Sequence, residues 1–242
     1  MAIEWVLVPI GFLGALVYGI TGFGSPLVTI PLALHFVPLP FALAVFALQD
    51  LASAVRVASE NPRHAVKGEI VRLVPLVVVG VVVGVTLLVN LPRKASMLSL
   101  GAFVLLYGLW SLCYRGVPRV VSQRWAYPAG FLGGITGMLF GAGGPPYVIY
   151  LAHRGLSKEQ FRSTLTLAAV FSITVRLIAM AFAGLLFRRE VWLTAMFVVP
   201  AALLGVSLAS RLFRHISREL LLRLVTLLLL ASGASLIARA VG

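Results

Sequence analysis

Eight apolar stretches separated by short polar loops account for almost the whole chain. They run over Ile3–Val37, Leu39–Ala58, Ile70–Asn90, Ala95–Tyr114, Trp125–Ala152, Gln160–Phe187, Val191–Ser210 and Leu220–Ala240. Most are close to the ~20 residues that a membrane-spanning helix needs. The first and fifth are longer, at about 35 and about 28 residues. As one straight helix the first would overshoot a hydrocarbon core of about 30 Å. Both long stretches carry a glycine-rich run that ends in proline: Gly22-Phe23-Gly24-Ser25-Pro26 and Gly141-Ala142-Gly143-Gly144-Pro145. Glycine loosens a helix and proline removes a backbone donor, so each run predicts a break. At membrane depth a broken backbone is tolerated only where protein buries it or a watery cavity receives it.

The two runs belong to an internal repeat. Gly11, Phe12, Leu13, Gly14, Gly22, Gly24 and Pro26 recur 119 residues later as Gly130, Phe131, Leu132, Gly133, Gly141, Gly143 and Pro145. The match continues from Arg56 to Arg176, Glu69 to Glu190, Gly84 to Gly205 and Arg93 to Arg214, with drifts of one or two residues. This divides the chain into repeat one, 1–118, and repeat two, 119–242, within a single integral domain. Two matching breaks in corresponding halves are the sequence mark of a transport site. The expected fold is an all-α polytopic membrane protein of two four-segment repeats.

Composition agrees with that class. The chain is 60% hydrophobic, 11% charged, and has a mean hydropathy of +1.04. Its net charge of +13 resembles that of a nucleic-acid binder, but the basic residues sit in short loops between apolar segments. That pattern reads as membrane topology, with no nucleic-acid partner. Cys113 is the one cysteine, so no internal disulfide forms. Met1–Glu4 lacks the basic start of a cleavable signal, so the first segment is read as mature protein.

The basic residues also choose between two topologies. If all eight segments cross, the loops and tail carry nine basic residues on each side. If segments one and five instead fold back at their glycine tips, thirteen share one side: Arg63, Lys67, Arg72, Arg115, Arg119, Arg124, Arg154, Lys158, Arg162, Arg211, Arg214, Arg218 and Arg223. Five face the other: Arg93, Lys94, Arg188, Arg189 and Arg239. The richer side should be cytoplasmic. Three crossings plus a hairpin per half would invert the second repeat relative to the first. A reporter fused after Gly242 is then expected outside the cytoplasm.

The chemistry-bearing residues are few. A helix that starts at a break points unpaired N–H groups and the positive end of its dipole into the gap, which attracts anions. Gly22, Gly24, Ser25 and Pro26, with Gly141, Gly143, Gly144 and Pro145, are the candidate walls of an anion site. Gly11, Gly14, Gly130 and Gly133 are better read as close-packing positions. Arg176 lies inside an uncharged segment, where a lone arginine is costly unless it faces a cavity or a partner. It is a substrate-binding candidate, against the alternatives of a salt bridge or a cap on backbone carbonyls. Arg56, its repeat mate, is a weaker candidate, because it sits near the polar Ser59-Glu60-Asn61 loop and can snorkel. Asp50, beside Gln49, is the only acid well inside a span. These two are the coupling candidates, with Asp50 either carrying protons or pairing with Arg56 or Arg176. Ser163, Thr164 and Thr166 are expected to bond the helix backbone. His35, His64, His153 and His215 lie at segment ends. No cofactor, metal site, nucleotide-binding loop or catalytic residue is expected, so the chain does not read as an enzyme.

The repeated Gly-Phe-Leu-Gly with Gly-x-Gly-x-Pro, together with Phe161-Arg162-Ser163-Thr164-Leu165, resembles the TauE/SafE sulfite exporter family over essentially the whole chain. The resemblance implies transport of sulfite, organosulfonates or related small anions across a bacterial inner membrane. Ser25 stands where the second repeat has Gly144, so the two tips are chemically unequal. The function expected is secondary anion transport by alternating access around the opposed tips, with the lipid bilayer as surroundings and a homo-oligomer left open. A passive anion channel built on the same half-helix dipoles is the alternative, and an accessory membrane subunit is another.

Overall fold

The structure is a computed structural model that describes residues 2–60, 62–113 and 120–212, with 230, 234, 237 and 238. The eighth apolar segment, Leu220–Ala240, lies almost wholly outside the described residues. So do Arg115, Arg119, Arg214, His215, Arg218, Arg223 and Arg239. The described chain is helical: α1 (Ala2–Thr21), α2 (Ser25–Ala33), α3 (Leu39–Ala58), α4 (Lys67–Asn90), α5 (Arg93–Cys113), α6 (Ala126–Phe140), α7 (Gly144–Ala152), α8 (Lys158–Phe182) and α9 (Arg189–Leu212). Short 3-10 turns at Pro62–His64 and Gln123–Trp125 lead into α4 and α6. Four helices within α3, α4, α8 and α9 are long and apolar enough to cross a membrane. Large apolar side chains stand exposed along them, including Val71, Val82, Phe182, Met196 and Leu204. Such an outer surface suits lipid, and the protein is an all-α, multi-pass membrane protein.

Segments one and five are each broken where the glycine runs predict. The first divides into α1 and α2, and the fifth into α6 and α7. In both the chain doubles back. Gly14 of α1 faces Ser25 and Thr29 of α2, and Val17 lies against Gly24. Gly133 of α6 faces the Tyr147 ring of α7, and Gly137 lies against Gly143. The two ends of segment five meet again: the Val121 N–H donates to His153 O at 2.9 Å, and Arg154 Nη1 donates to Val121 O at 2.5 Å. A segment whose ends are hydrogen-bonded to each other does not cross from one side to the other.

The same end of the molecule gathers the polar loops. Glu69, at the start of α4, is almost wholly buried and binds Arg154 Nε at 3.0 Å. Tyr150 also donates its hydroxyl to Glu69. Glu60, after α3, pairs with Arg162 in the first turns of α8 at 3.2 Å. Thr164 accepts the Val66 N–H at 2.9 Å, which satisfies one backbone donor just ahead of α4. Thus Arg63, Lys67, Arg72, Arg124, Arg154 and Arg162 belong to one end, as the hairpin topology requires.

Packing between the halves is reciprocal. α1 runs along α9, with Gly19 against Val206 and Ala209, and Gly205 against Phe12 and Ala15. α6 runs along α4, with Gly134 against Val77 and Gly80, and Gly84 against Met138. Small residues let the backbones approach within contact distance, the usual basis of helix association in lipid. α3 and α8 cross between these pairs and carry most of the buried polar groups.

Candidate functional site

The first tip forms because α1 cannot continue past Thr21. The Gly22 N–H still reaches Tyr18 O at 2.7 Å, closing the last turn. The Thr21 hydroxyl accepts the Phe23 N–H at 3.2 Å and faces the carbonyls of Val17 and Phe23. Gly24 then takes φ +91°, in the left-handed region where a Cβ is unfavourable, and caps α2. Pro26 sits in the first turn of α2, where its missing donor costs nothing. The second tip ends α6 on Gly141 at φ +72° and starts α7 from Gly143. Gly143 has an ordinary φ of −73°. Its need for glycine is steric, since a Cβ there would lie 2.8 Å from Gly133 O.

The two tips meet. A Cβ on Gly141 would lie 3.0 Å from Pro26 Cβ, and one on Gly144 would lie 3.1 Å from Phe23 Cβ. The tips therefore pass side by side, with the start of each return helix facing the turn of the other hairpin. Between them is a small open cavity lined by both tips. Gly24, Pro26, Gly141, Gly143, Gly144, Pro145, Asp50 and Arg176 all line it.

Arg176 and Asp50 form an ion pair in its wall. Arg176 Nη2 stands 3.4 Å from Asp50 Oδ2, and the two side chains are 3% and 2% exposed. Arg176 Nη1 donates to Gly137 O at 3.0 Å and Gly141 O at 2.9 Å. Those carbonyls belong to the last turn of α6, where intrahelical donors have run out. Arg176 is thus both a carbonyl cap and an ion-pair partner, while its position on the cavity wall leaves the substrate reading open. Its Nε and Asp50 Oδ1 are buried without a hydrogen-bond partner.

The remaining sequence candidates fall in different places. Gly22 shapes the first tip, but its nearest non-local neighbours are Thr166 and Arg162 of α8. Gln49 Nε2 donates to Ser25 Oγ at 3.1 Å, which ties α3 to α2 behind the cavity wall. Arg56 is half-exposed and pairs with Glu60 at 3.4 Å in the end of α3, away from the tips. The snorkelling alternative describes it. Gly11, Gly14, Gly130 and Gly133 are packing positions, against Gln49, Ser25, Leu73 and Tyr147 in turn. Thr166 returns its hydroxyl to Arg162 O at 2.9 Å, as expected of a helical threonine.

Among the wall residues that sequence reasoning missed are the aromatic and hydroxyl side chains of Tyr18, Phe23, Tyr147 and Ser172. The Tyr147 and Ser172 hydroxyls share a hydrogen bond at 3.0 Å. A tyrosine inside an apolar segment needs a polar partner, and that was the available signal. The donor supply is also smaller than two open helix ends imply. α7 opens on Gly144-Pro145-Pro146, so two of its first three residues have no N–H. Arg176, paired with Asp50, is the cation in this wall, and the tips add a few N–H groups. Among the described residues no cluster of metal-ligating side chains occurs.

The profile of the family described as Sulfite exporter TauE/SafE matches residues 7–236 of this chain. No curated protein and no solved structure matches it.

Proposed function

Since the chain belongs to the TauE/SafE sulfite exporter family, we propose that it is a secondary transporter of a small sulfur-containing anion. Sulfite, hydrogen sulfite and organosulfonates are the class. The anion binds in the cavity between the hairpin tips, held by Arg176 and the N–H groups at the starts of α2 and α7. The observation that carries the reading is the meeting of two independent helix breaks around one buried arginine. Helix N-termini favour negative charge, and a guanidinium matches an oxyanion in shape and charge.

The reciprocal packing supports inverted repeats that move against each other. Each hairpin lies against the other repeat's long helix, α1 on α9 and α6 on α4. Rocking of the halves would carry the tip cavity from one face to the other. The basic loop end is the cytoplasmic one, and the bacterial inner membrane is the setting. Uptake of labelled sulfite into proteoliposomes tests this, with Arg176→Ala beside the wild type. Saturable uptake that the substitution abolishes is expected. Unchanged uptake would remove Arg176 from the site.

A further inference from the structure

The Arg176 guanidinium has two usable edges, and one is taken. Nη1 is fixed by the carbonyls of Gly137 and Gly141. The opposite edge, Nη2 with Nε, is the one that can grip two oxygens at once. Asp50 occupies that edge poorly. Its Oδ2 reaches Nη2 at 3.4 Å, while Nε and Oδ1 remain without partners. Both side chains line the tip cavity. A carboxylate therefore stands where an oxyanion would have to bind.

We propose that Asp50 is a resident counter-anion that the transported anion replaces on Arg176, with one proton taken up by Asp50 for each anion bound. Charge balance requires the exchange. The empty site is neutral, with one guanidinium and one carboxylate. Adding a singly charged anion beside an ionised Asp50 would leave an uncompensated buried negative charge, which is strongly unfavourable. A proton from water on the Asp50 carboxylate restores neutrality: Asp50–COO⁻ and H⁺ give Asp50–COOH, and Arg176 passes to the incoming anion. No bond in the anion breaks and nothing is oxidised or reduced. The consequence is symport of one proton with one monoanion, such as a sulfonate or hydrogen sulfite, and discrimination against dianions such as sulfate, so that sulfite is carried in its hydrogen sulfite form.

The surroundings of Asp50 allow this. From α8 it meets Arg176. From α1 the Tyr18 hydroxyl lies in the field of both Asp50 and Arg162, and is itself buried without a partner. From α2, Ser25 binds the neighbouring Gln49. α9, also packed on α3, places Arg189 and Glu190 at its first turn and carries no charged residue over 191–210. The exchange occurs once per chain. The repeat counterparts of Asp50 are Ala169 or Val170, and the counterpart of Arg176 is the outlying Arg56.

This inference rests on the tip cavity being the anion site, and the experiment separates the two. Wild-type protein is reconstituted in liposomes loaded with a pH-sensitive dye, and labelled methanesulfonate is added outside. Counterflow exchange reports the site alone, and internal pH reports the proton. Expected is acidification of one proton per anion, with about tenfold accumulation inside per unit of pH gradient when the outside is the acidic side. Asp50→Asn, which imitates the protonated acid, should lose gradient-driven accumulation and the pH dependence of whatever counterflow it retains; accumulation still driven by the pH gradient in this variant would overturn the coupling. Asp50→Glu should recover both. Absent counterflow in the wild type would overturn the site and the coupling together. Counterflow without acidification, or accumulation driven by sodium instead, would overturn the coupling alone and leave the site standing.

Discussion

Substituting alanine at each of two equivalent glycines measures whether the tips touch. Gly22 and Gly141 are repeat mates, and both take a left-handed φ, at +78° and +72°. An added Cβ costs about 1–2 kcal/mol in that region at either position. Their surroundings differ. At Gly22 the nearest atoms to the new carbon are 3.5 Å away, on side chains of α8. At Gly141 it would stand 3.0 Å from Pro26 Cβ, and 3.4 Å from both Ile30 Cγ1 and Arg176 Nη1. Pro26 Cβ belongs to a rigid ring in the first turn of α2 and cannot rotate away. Forcing a methyl into such a contact adds about 1–3 kcal/mol. Gly141→Ala should therefore be less stable than Gly22→Ala by about 1–3 kcal/mol. At about 2–4 °C per kcal/mol for a chain of this size, its midpoint should lie roughly 2–12 °C lower. Thermal unfolding in detergent, followed by size-exclusion chromatography with fluorescence detection, gives the comparison. Gly141→Ala should also weaken anion uptake more, because Gly141 O holds Arg176. Equal shifts for the two variants would refute a direct contact between the hairpins.

Three further expectations follow from named contacts. Gly134→Leu should prevent α6 from seating on α4, because its Cβ would already stand 2.9 Å from Gly80 Cα; purified yield should collapse, whereas Leu132→Ala on the exposed face should express normally. Glu69→Gln removes the charge that holds Arg154 and should cost about 1–3 kcal/mol; thermal unfolding with and without Arg154→Met as second substitution checks it, and strictly additive losses would show that the pair is not coupled. Cysteines placed singly at Gly155 and Gly184, with Cys113 replaced by serine, should label from opposite sides of the membrane with an impermeant maleimide. Labelling of both from one side would contradict a crossing by α8.

Much of this arrangement is legible before any coordinates. Glycine clusters that end in Pro26 and Pro145 fix where segments one and five break, because no regular helix accommodates them. The basic loops point to the same hairpin topology that the Val121–His153 hydrogen bond reflects. Arg176 and Asp50 stand out as charges inside spans. Their pairing with each other, rather than with Arg56, is not legible from spacing. α3 ends at Ala58, so Arg56 falls in its last turn and reaches Glu60. α8 extends to Phe182, which leaves Arg176 well inside the helix and opposite Asp50. A repeat that conserves residue type in sequence thus does not conserve depth. The carbonyl cap was among the alternatives for Arg176, but which carbonyls it would reach was hidden, since that depends on how α8 packs against the second hairpin.

The most direct test of the tip cavity as an anion site is a density map of the protein in lipid nanodiscs with a bromine-bearing sulfonate that the liposomes transport. Density for the anion is expected between Pro26 and Gly144, within hydrogen-bond distance of the Nη2 and Nε edge of Arg176, with Asp50 displaced from it. An ordered anion elsewhere in the chain, with Arg176 still closed on Asp50, would contradict the site.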